Sequence, residues 1–496
     1  MKKVLIVVVG IAAVGLAIWS GLWFVGRGQI EDRLDLEHAR AEARGTTITW
    51  ESREIGGFPF GYEMQATNVA ITNRETGMLL RIPEVVSRSD ASDVGRIETR
   101  LLGEILIDLP IPEERRVADP RLPRIAKLSL TGEQMLATIE GLSQSDGNIT
   151  LSAREATLRM DQEDLPGKLD LIVTDFSTAY KQIGDKVTSG TQAATVLFKA
   201  SGTDKDGLQS SADIGIDAFS LTASLDTPET RNLNDILFGS AAGTLEVVYS
   251  TGSIHSEAIA SDATGQGGGT FSYSGGTATG IIGVQDGSVE IRGESRQNVW
   301  VIDPKQGGNA LNGTITADAV QTHYIMPTRP TDVPESAKLR LAIIDLDADE
   351  ELWTALDPNN ALDRSKAELL LDVDATAKIM ARLDQLRPTQ GVPVQLSNVS
   401  LNTLNLKALG GDVHATGDVE VLQPINLPLG GLKIKLSNAT AILLSLKQAG
   451  LIDEQMRATG AAMLQVYARP GEGEDTWETD LTFDNDGITM NGLRVQ

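Results

Sequence analysis

The chain has 496 residues, with 68 acidic against 43 basic side chains and a formal charge of −25 at pH 7. That balance excludes a nucleic-acid binder, which needs Lys and Arg to neutralise phosphates, and disfavours lying flat on an anionic lipid surface. Zero cysteines exclude disulfides and thiolate chemistry, and 4% aromatic content beside 49 glycines predicts aliphatic strands and tight turns rather than large aromatic cores.

The chain opens on Val4–Val25, 22 consecutive residues without a charge. A helix of that length is about 33 Å long, enough for the hydrocarbon core of a bilayer. Lys2 and Lys3 precede it, and Trp19 and Trp23 sit near its far end, where indoles favour the headgroup boundary. Gly15 and Ala17 offer a signal-peptide cleavage site, but the apolar run continues past them, so an uncleaved anchor is the expectation. The amino-terminal lysines orient it with the N-terminus in the cytoplasm and the body outside.

Ile30, Leu34 and Ala41 continue a helical stripe to a stop at Gly45. From Thr46 the period changes to two: Ile48 and Trp50 alternate with polar residues, Gly56–Phe60 makes a corner, and Tyr62, Met64 and Ala66 alternate again. The same pattern recurs through Val94–Ile111, Leu128 and Leu130, Ile149 and Leu151, Leu169 and Leu171, Val196 and Phe198, Leu245–Tyr249, and Phe271 and Tyr273. Half-buried antiparallel strands produce this alternation. The stretch Gly265–Gly280 reads as a flexible loop or a glycine-rich hairpin, and Asp484–Gly487 as a hairpin turn.

Helices are predicted at Glu133–Leu142, Thr230–Phe238, Ala375–Leu386, Ala439–Ala449 and Asp453–Ala468. Gly450 suits the position after a helix and Asp453 an N-cap, and Ile442, Leu443, Leu446, Met456, Met463, Leu464 and Tyr467 are expected to cover a sheet face. The fold class is therefore mainly β: elongated, curved antiparallel sheets with a few short covering helices, preceded by one N-terminal transmembrane helix. The prolines of Pro327–Pro334 divide the body, with a second break near Pro228. Residues 1–25 form the tip and anchor, 26–45 a juxtamembrane helix, 46–227 and 228–326 two strand-rich segments, and 327–496 a β domain with a helix pair.

Chemistry is not legible. The histidines His38, His255, His323 and His414 are scattered without metal-ligand spacing, and no nucleophile elbow, phosphate loop or dinucleotide fingerprint occurs. Asp345, Asp347 and Asp349 imitate the opening of a calcium loop, but Glu350 and Leu356 stand where glycine and glutamate are needed. No enzyme activity, catalytic residue, cofactor or metal is expected.

The C-terminal third, from Ile343 through Leu352-Trp353 and Asp357-Pro358 to the run Ala468–Thr476, resembles the uncharacterised Gram-negative "domain of unknown function 2125" family, as does the Gly57-Phe58-Pro59 corner. Tyr273–Gly280 adds weaker support. The layout is more remotely similar to AsmA-like envelope proteins. That resemblance implies an inner-membrane helix, a periplasmic body of many strands and, for some members, an apolar face implicated in phospholipid movement or outer-membrane assembly.

The expected function is that of an inner-membrane, single-pass envelope protein with its body in the periplasm, handling lipid or maintaining the envelope through an apolar sheet face. Leu128, Leu130, Leu151, Leu169, Leu171, Leu401, Leu404, Leu406, Ile434 and Leu436 are the candidate groove or core residues, and each taken singly reads first as ordinary sheet core. Its partners would be the inner membrane and phospholipid acyl chains. The alternative is a membrane-tethered scaffold that binds another envelope protein through a strand edge or its acidic surface, without lipid cargo.

Overall fold

The period-two pattern becomes antiparallel strand through most of the chain in the computed structural model, which describes residues 38–43, 45–56, 61–90, 93–118, 123–140, 147–160, 167–203, 207–226, 243–261, 268–285, 287–304, 312–381, 394–423 and 426–495. Val4–Val25, Gly57–Phe60, Pro228 and the helix expected at Thr230–Phe238 lie outside the described residues. Among those described, no helix is long and apolar enough to cross a membrane. The chain divides into two units, Met1–Ser220 and Leu221–Gln496, and strand Gln209–Asp226 crosses the division.

In the first unit each long strand pairs with the next in sequence. Strand Gly61–Asn73 carries Thr46–Thr49 and Ser52–Gly56 along one edge and Leu79–Asp90 along the other. Next comes a strand broken into Asp93–Leu102 and Ile105–Pro110, where Gly103 takes φ +85°. Its partner is broken into Ile125–Glu133 and Leu136–Glu140 at Gln134, φ +54°. The helix expected at Glu133–Leu142 is therefore corrected in its described part, Glu133–Glu140, to a strand break followed by the strand Leu136–Glu140. Leu136–Glu140 pairs on both sides, with Arg96–Arg100 and with Asn148–Ser152, and ladder hydrogen bonds outweigh the helical preference of Met, Leu and Ala.

Side chains on one face of this sheet close into a core. Ile48, Ile71, Leu80, Ile107 and Leu128 are successive register partners, and Leu80, Ile105 and Ile107 are at most 1% exposed. The helical segment 38–43 adds Ala41 to that core, while His38 Nε2 lies 2.7 Å from the Ile48 carbonyl oxygen. Gly45, at φ +80°, ends the segment.

The second unit repeats the plan. Strands Thr244–Thr251 and Ile254–Ser261 pair with Ala278–Gln285 and Gly268–Gly275 as a broken hairpin, so the described part of the glycine-rich stretch is its return strand. Then follow Ser288–Pro304, Gly313–Pro327, Glu335–Ala348, Ala367–Ile379, Val394–Ala408, Gly411–Leu422, Leu427–Ser437 and Thr476–Asp484, each paired with its predecessor. The proline-rich run Pro327–Pro334 connects two of these paired strands. Asp484 faces Gly487 across the expected tight turn. The helix expected over Ala375–Leu386 is corrected in its described part: Ala375–Ile379 is strand, with Ala377 and Ile379 buried against Val394–Val399.

The helix pair forms at Ala439–Ala449 and Glu454–Tyr467, with Asp453 accepting from the Met456 amide at 2.7 Å and Gly450 at φ +80°. A shorter helix, Glu350–Leu356, is capped by Asp349, which accepts from Leu352 and Thr314 amides at 2.8 Å each. That capping, and an ion pair from Asp345 to Lys366 at 3.3 Å, accounts for the acidic run that imitates a calcium loop.

Candidate functional site: an open apolar sheet face

Successive side chains of a strand point to opposite faces, and register partners share a face. Following one row across the second unit gives Leu245, Val284, Val289, Met326, then Leu339, Val373, Leu401, Gly417, Leu432 and Leu481 on the same side. Neighbouring rows add Leu341, Leu371, Leu404, Ala415 and Ile434, and Ile343, Leu369, Leu406, Val413, Leu436 and Trp477. Among the described strand residues this face carries Glu335 at one end and Asp318, two residues from Val320, beyond the row of Ile343 at the other.

The opposite face carries the charged pairs. Glu290 accepts from Arg292 and lies 2.8 Å from His323 Nε2. Burial pushes the Glu290 carboxyl up, but the Arg292 and His323 contacts outweigh it and hold it below the ordinary value. Lys338 lies 3.5 Å from Asp372 and 3.3 Å from Asp374, and Asn402 donates to Asp374 at 2.6 Å. The Asn402 and Lys338 contacts lower the Asp374 carboxyl against the upward push of burial. The charged pairs thus gather on the side opposite the leucine rows, and that side also carries Val248 and Ile281, which are 39% and 40% exposed.

What distinguishes this apolar face from the first unit's is cover. Ile291, Leu339, Leu396 and Leu406 remain 37–43% exposed, whereas Ile71, Leu80 and Ile107 of the first unit's central row are at most 2% exposed. The buried apolar cluster around Ile105 draws its members from Ala41 to Leu158. Of the buried alanines described in the second unit, Ala415 stands on this face, opposite Leu404, while Ala319 and Ala342 stand on the other, in register with Arg296 and Leu370. Large apolar side chains with partly open surfaces, side by side across a sheet, form a patch of the kind that binds something apolar.

The sequence-predicted residues therefore separate into two groups. Leu128 is core, and Leu130 and Leu171 pack against that core, while Leu151 and Leu169 are half-buried on neighbouring strands. Leu401, Leu404, Leu406, Ile434 and Leu436 stand together on the open face. Their partners Leu369, Leu371, Leu432 and Leu481 were legible as alternating positions but needed the register to be joined to them.

The helix pair covers less than expected. The first turn of Ala439–Ala449 reaches the end of the apolar face, since a Cβ on Gly411 would sit 2.2 Å from Ile442 Cδ1. Leu443 instead packs on Gly460 of the second helix, and Met456 and Met463 are exposed. The expectation that all these apolar residues cover the sheet is corrected: the helices pack first on each other.

Asp357 anchors a loop near the same strand ends. Its buried carboxylate accepts from the Ala361 and Leu362 amides at 2.9 Å each and lies 3.8 Å from Arg364, whose guanidinium sits over the Trp353 ring. Asn298, also buried, accepts from Tyr273 and Ser295 hydroxyls at 2.8 and 2.9 Å. Both groups are internally satisfied, and among the described residues no cluster of His, Asp or Glu is placed to hold a metal ion.

These features define an antiparallel, strand-rich protein whose second unit carries rows of partly open aliphatic residues on one sheet face and charged pairs on the other. The sequence pattern of the family described as "Uncharacterized protein conserved in bacteria (DUF2125)" matches residues 23–217 and 277–495, and the chain belongs to that family. No curated relative and no solved structure matches the chain.

Proposed function

We propose that this protein is a membrane-anchored component of the bacterial envelope that handles lipid, with acyl chains lying on the open apolar face of the second unit. The supporting observation is the row from Leu339 through Val373, Leu401 and Leu432 to Leu481, large aliphatic residues without a charged side chain among them. An acyl chain needs only apolar contact and release of water, so this action is non-catalytic and uses no cofactor. Val4–Val25 serves as the inner-membrane anchor in this reading, and the body occupies the periplasm, as in the AsmA-like proteins that the layout resembles.

The test is lipid extraction and native mass spectrometry of the purified full chain. Co-purifying phospholipid in stoichiometric amount supports the proposal, and a lipid-free chain that takes up none from vesicles overturns it. A periplasm-active reporter at the C-terminus checks orientation, with activity expected. The scaffold alternative draws on a different observation, the exposed Leu444, Met456, Met463 and Val466 of the helix pair. A stoichiometric protein crosslinked to that pair, with no lipid on the sheet, would favour it.

A further inference from the structure

We infer that the apolar face selects lipids whose headgroups carry no net charge, zwitterionic ones above all, and turns away anionic lipids. The inference rests on the acyl-chain reading above and concerns what the face's surroundings offer a headgroup.

An anionic phosphate is held by cations with donors to spare, typically a bidentate arginine or clustered lysines. Among the described residues the apolar face itself supplies none. At one end of its strands Arg329 lies 3.7 Å from Glu335. At the other end, in the helix pair seated over Gly411, Lys447 and Arg457 share Glu454 at 3.3 and 2.6 Å. Arg364 is held by Glu350 at 2.7 Å and by Asp357. Elsewhere in the second unit the described lysines and arginines, apart from Lys433 and Arg494, also lie within 4.0 Å of a carboxylate. Lys433 is in register with Asp480 on the polar side, and Arg494 has an interaction of its own.

The described cations bordering the face are thus paired within the protein, in a chain whose formal charge is −25. An incoming anionic headgroup meets a repulsive field over a Debye length of about 8–10 Å and must break an ion pair to find a partner. A zwitterionic headgroup brings its own ammonium, which the surplus carboxylates can accept. The selectivity comes from the rim, and the acyl chains are bound alike in both cases.

The experiment incubates the full chain with vesicles of equal phosphatidylethanolamine and phosphatidylglycerol, re-isolates it and counts bound lipid by mass spectrometry. The zwitterionic lipid is expected in about three- to tenfold excess. The variants Glu335→Gln and Glu454→Gln, which free Arg329, Lys447 and Arg457 at partly exposed sites, are expected to bring the ratio back toward equality. Equal or greater binding of the anionic lipid by the native chain overturns the inference and leaves the acyl-chain reading standing. A ratio that the combined variant does not move also overturns it. Uptake of neither lipid overturns both.

Discussion

The Asp475 carboxylate accepts the Ala441 backbone N–H at 2.9 Å, so the helix Ala439–Ala449 is capped from a loop that lies far downstream in the chain. The residue at the helix's own N-cap position, Asn438, makes no side-chain cap bond and donates instead to the Gly410 carbonyl at 2.7 Å. Asp475 also accepts from the Thr440 hydroxyl and amide and, at 3.1 Å, from the indole N–H of Trp477. One carboxylate therefore ties the helix pair to the strand that ends the apolar face, and it belongs to the Ala468–Thr476 run singled out in the sequence.

Replacing Asp475 by Ala removes that cap, and a loss of about 1 kcal/mol of unfolding free energy is expected in urea titrations. Burial raises the Asp475 carboxyl, but donors from Thr440, Ala441 and Trp477 outweigh it and leave it lowered from 3.8. A carboxyl lowered on folding stabilises the protein above its unfolded value and loses that contribution as pH falls through the folded one. The gap between native chain and Asp475→Ala variant should accordingly be full at neutral pH and close as pH falls through the lowered folded value. A gap that persists in acid would show that the carboxylate's charge does not carry the cap.

Asp357 gives a second pH-linked prediction. Burial pushes its carboxyl up, and the Ala361 and Leu362 amides with Arg364 more than reverse this, leaving it below 3.8. Asp357→Asn keeps the shape but offers one oxygen where two amides and a guanidinium need acceptors. The variant should raise amide exchange at Ala361 and Leu362 at neutral pH, and the native chain should approach the same exchange as pH falls through the depressed value. Unchanged protection in the variant would remove the carboxylate from its role in ordering this loop.

Strand identity was legible because alternation at pairs such as Leu128/Leu130 and Leu404/Leu406 reports which side a residue faces. It does not report what lies against that side, which is why Leu128 in the core and Leu406 at 38% exposed read alike. The segments Glu133–Leu142 and Ala375–Leu386, expected as helices and found as strand in their described parts, contain Met, Ala and Leu, good helix formers, at helical spacing. Pairing on both edges decided Leu136–Glu140, and burial of Ala377 and Ile379 against the next strand decided the other. The helix pair was recognised because Asp453 and Gly450 are local signals, whereas the cap at Asp475 depends on contacts that no local pattern encodes.

The seating of the helix pair can be tested at Gly411. A Cβ there would meet Ile442 Cδ1 at 2.2 Å and the Ser437 carbonyl oxygen at 2.8 Å, both too close. Gly411→Ala should cost about 1–3 kcal/mol of stability through overpacking. Adding Ile442→Ala removes one of the two clashes, so the double variant should recover part of the loss, a coupling of about 0.5–3 kcal/mol. Purely additive costs in a double-mutant cycle would detach Ile442 from the apolar face.

The difference between sealed and open faces makes the sharpest prediction. Leu128 is 8% exposed within the first unit's core, so Leu128→Ala should cost about 2–5 kcal/mol through lost contacts and a cavity. Leu404 is half-buried on the open face, where water already reaches neighbouring side chains such as Leu406. Its truncation removes less buried area and leaves no closed cavity, so Leu404→Ala should cost only about 1 kcal/mol in the same urea titration. Lipid loading should respond the other way round. Leu404→Glu places a charge amid Leu371, Ala415 and their neighbours and should sharply reduce bound lipid in a chain whose circular dichroism is unchanged. Leu128→Ala, measured below its unfolding midpoint, should retain its load. Equal stability costs for the two alanine variants would mean that the face of the second unit is covered in solution, and a full lipid load on Leu404→Glu would place the acyl chains elsewhere.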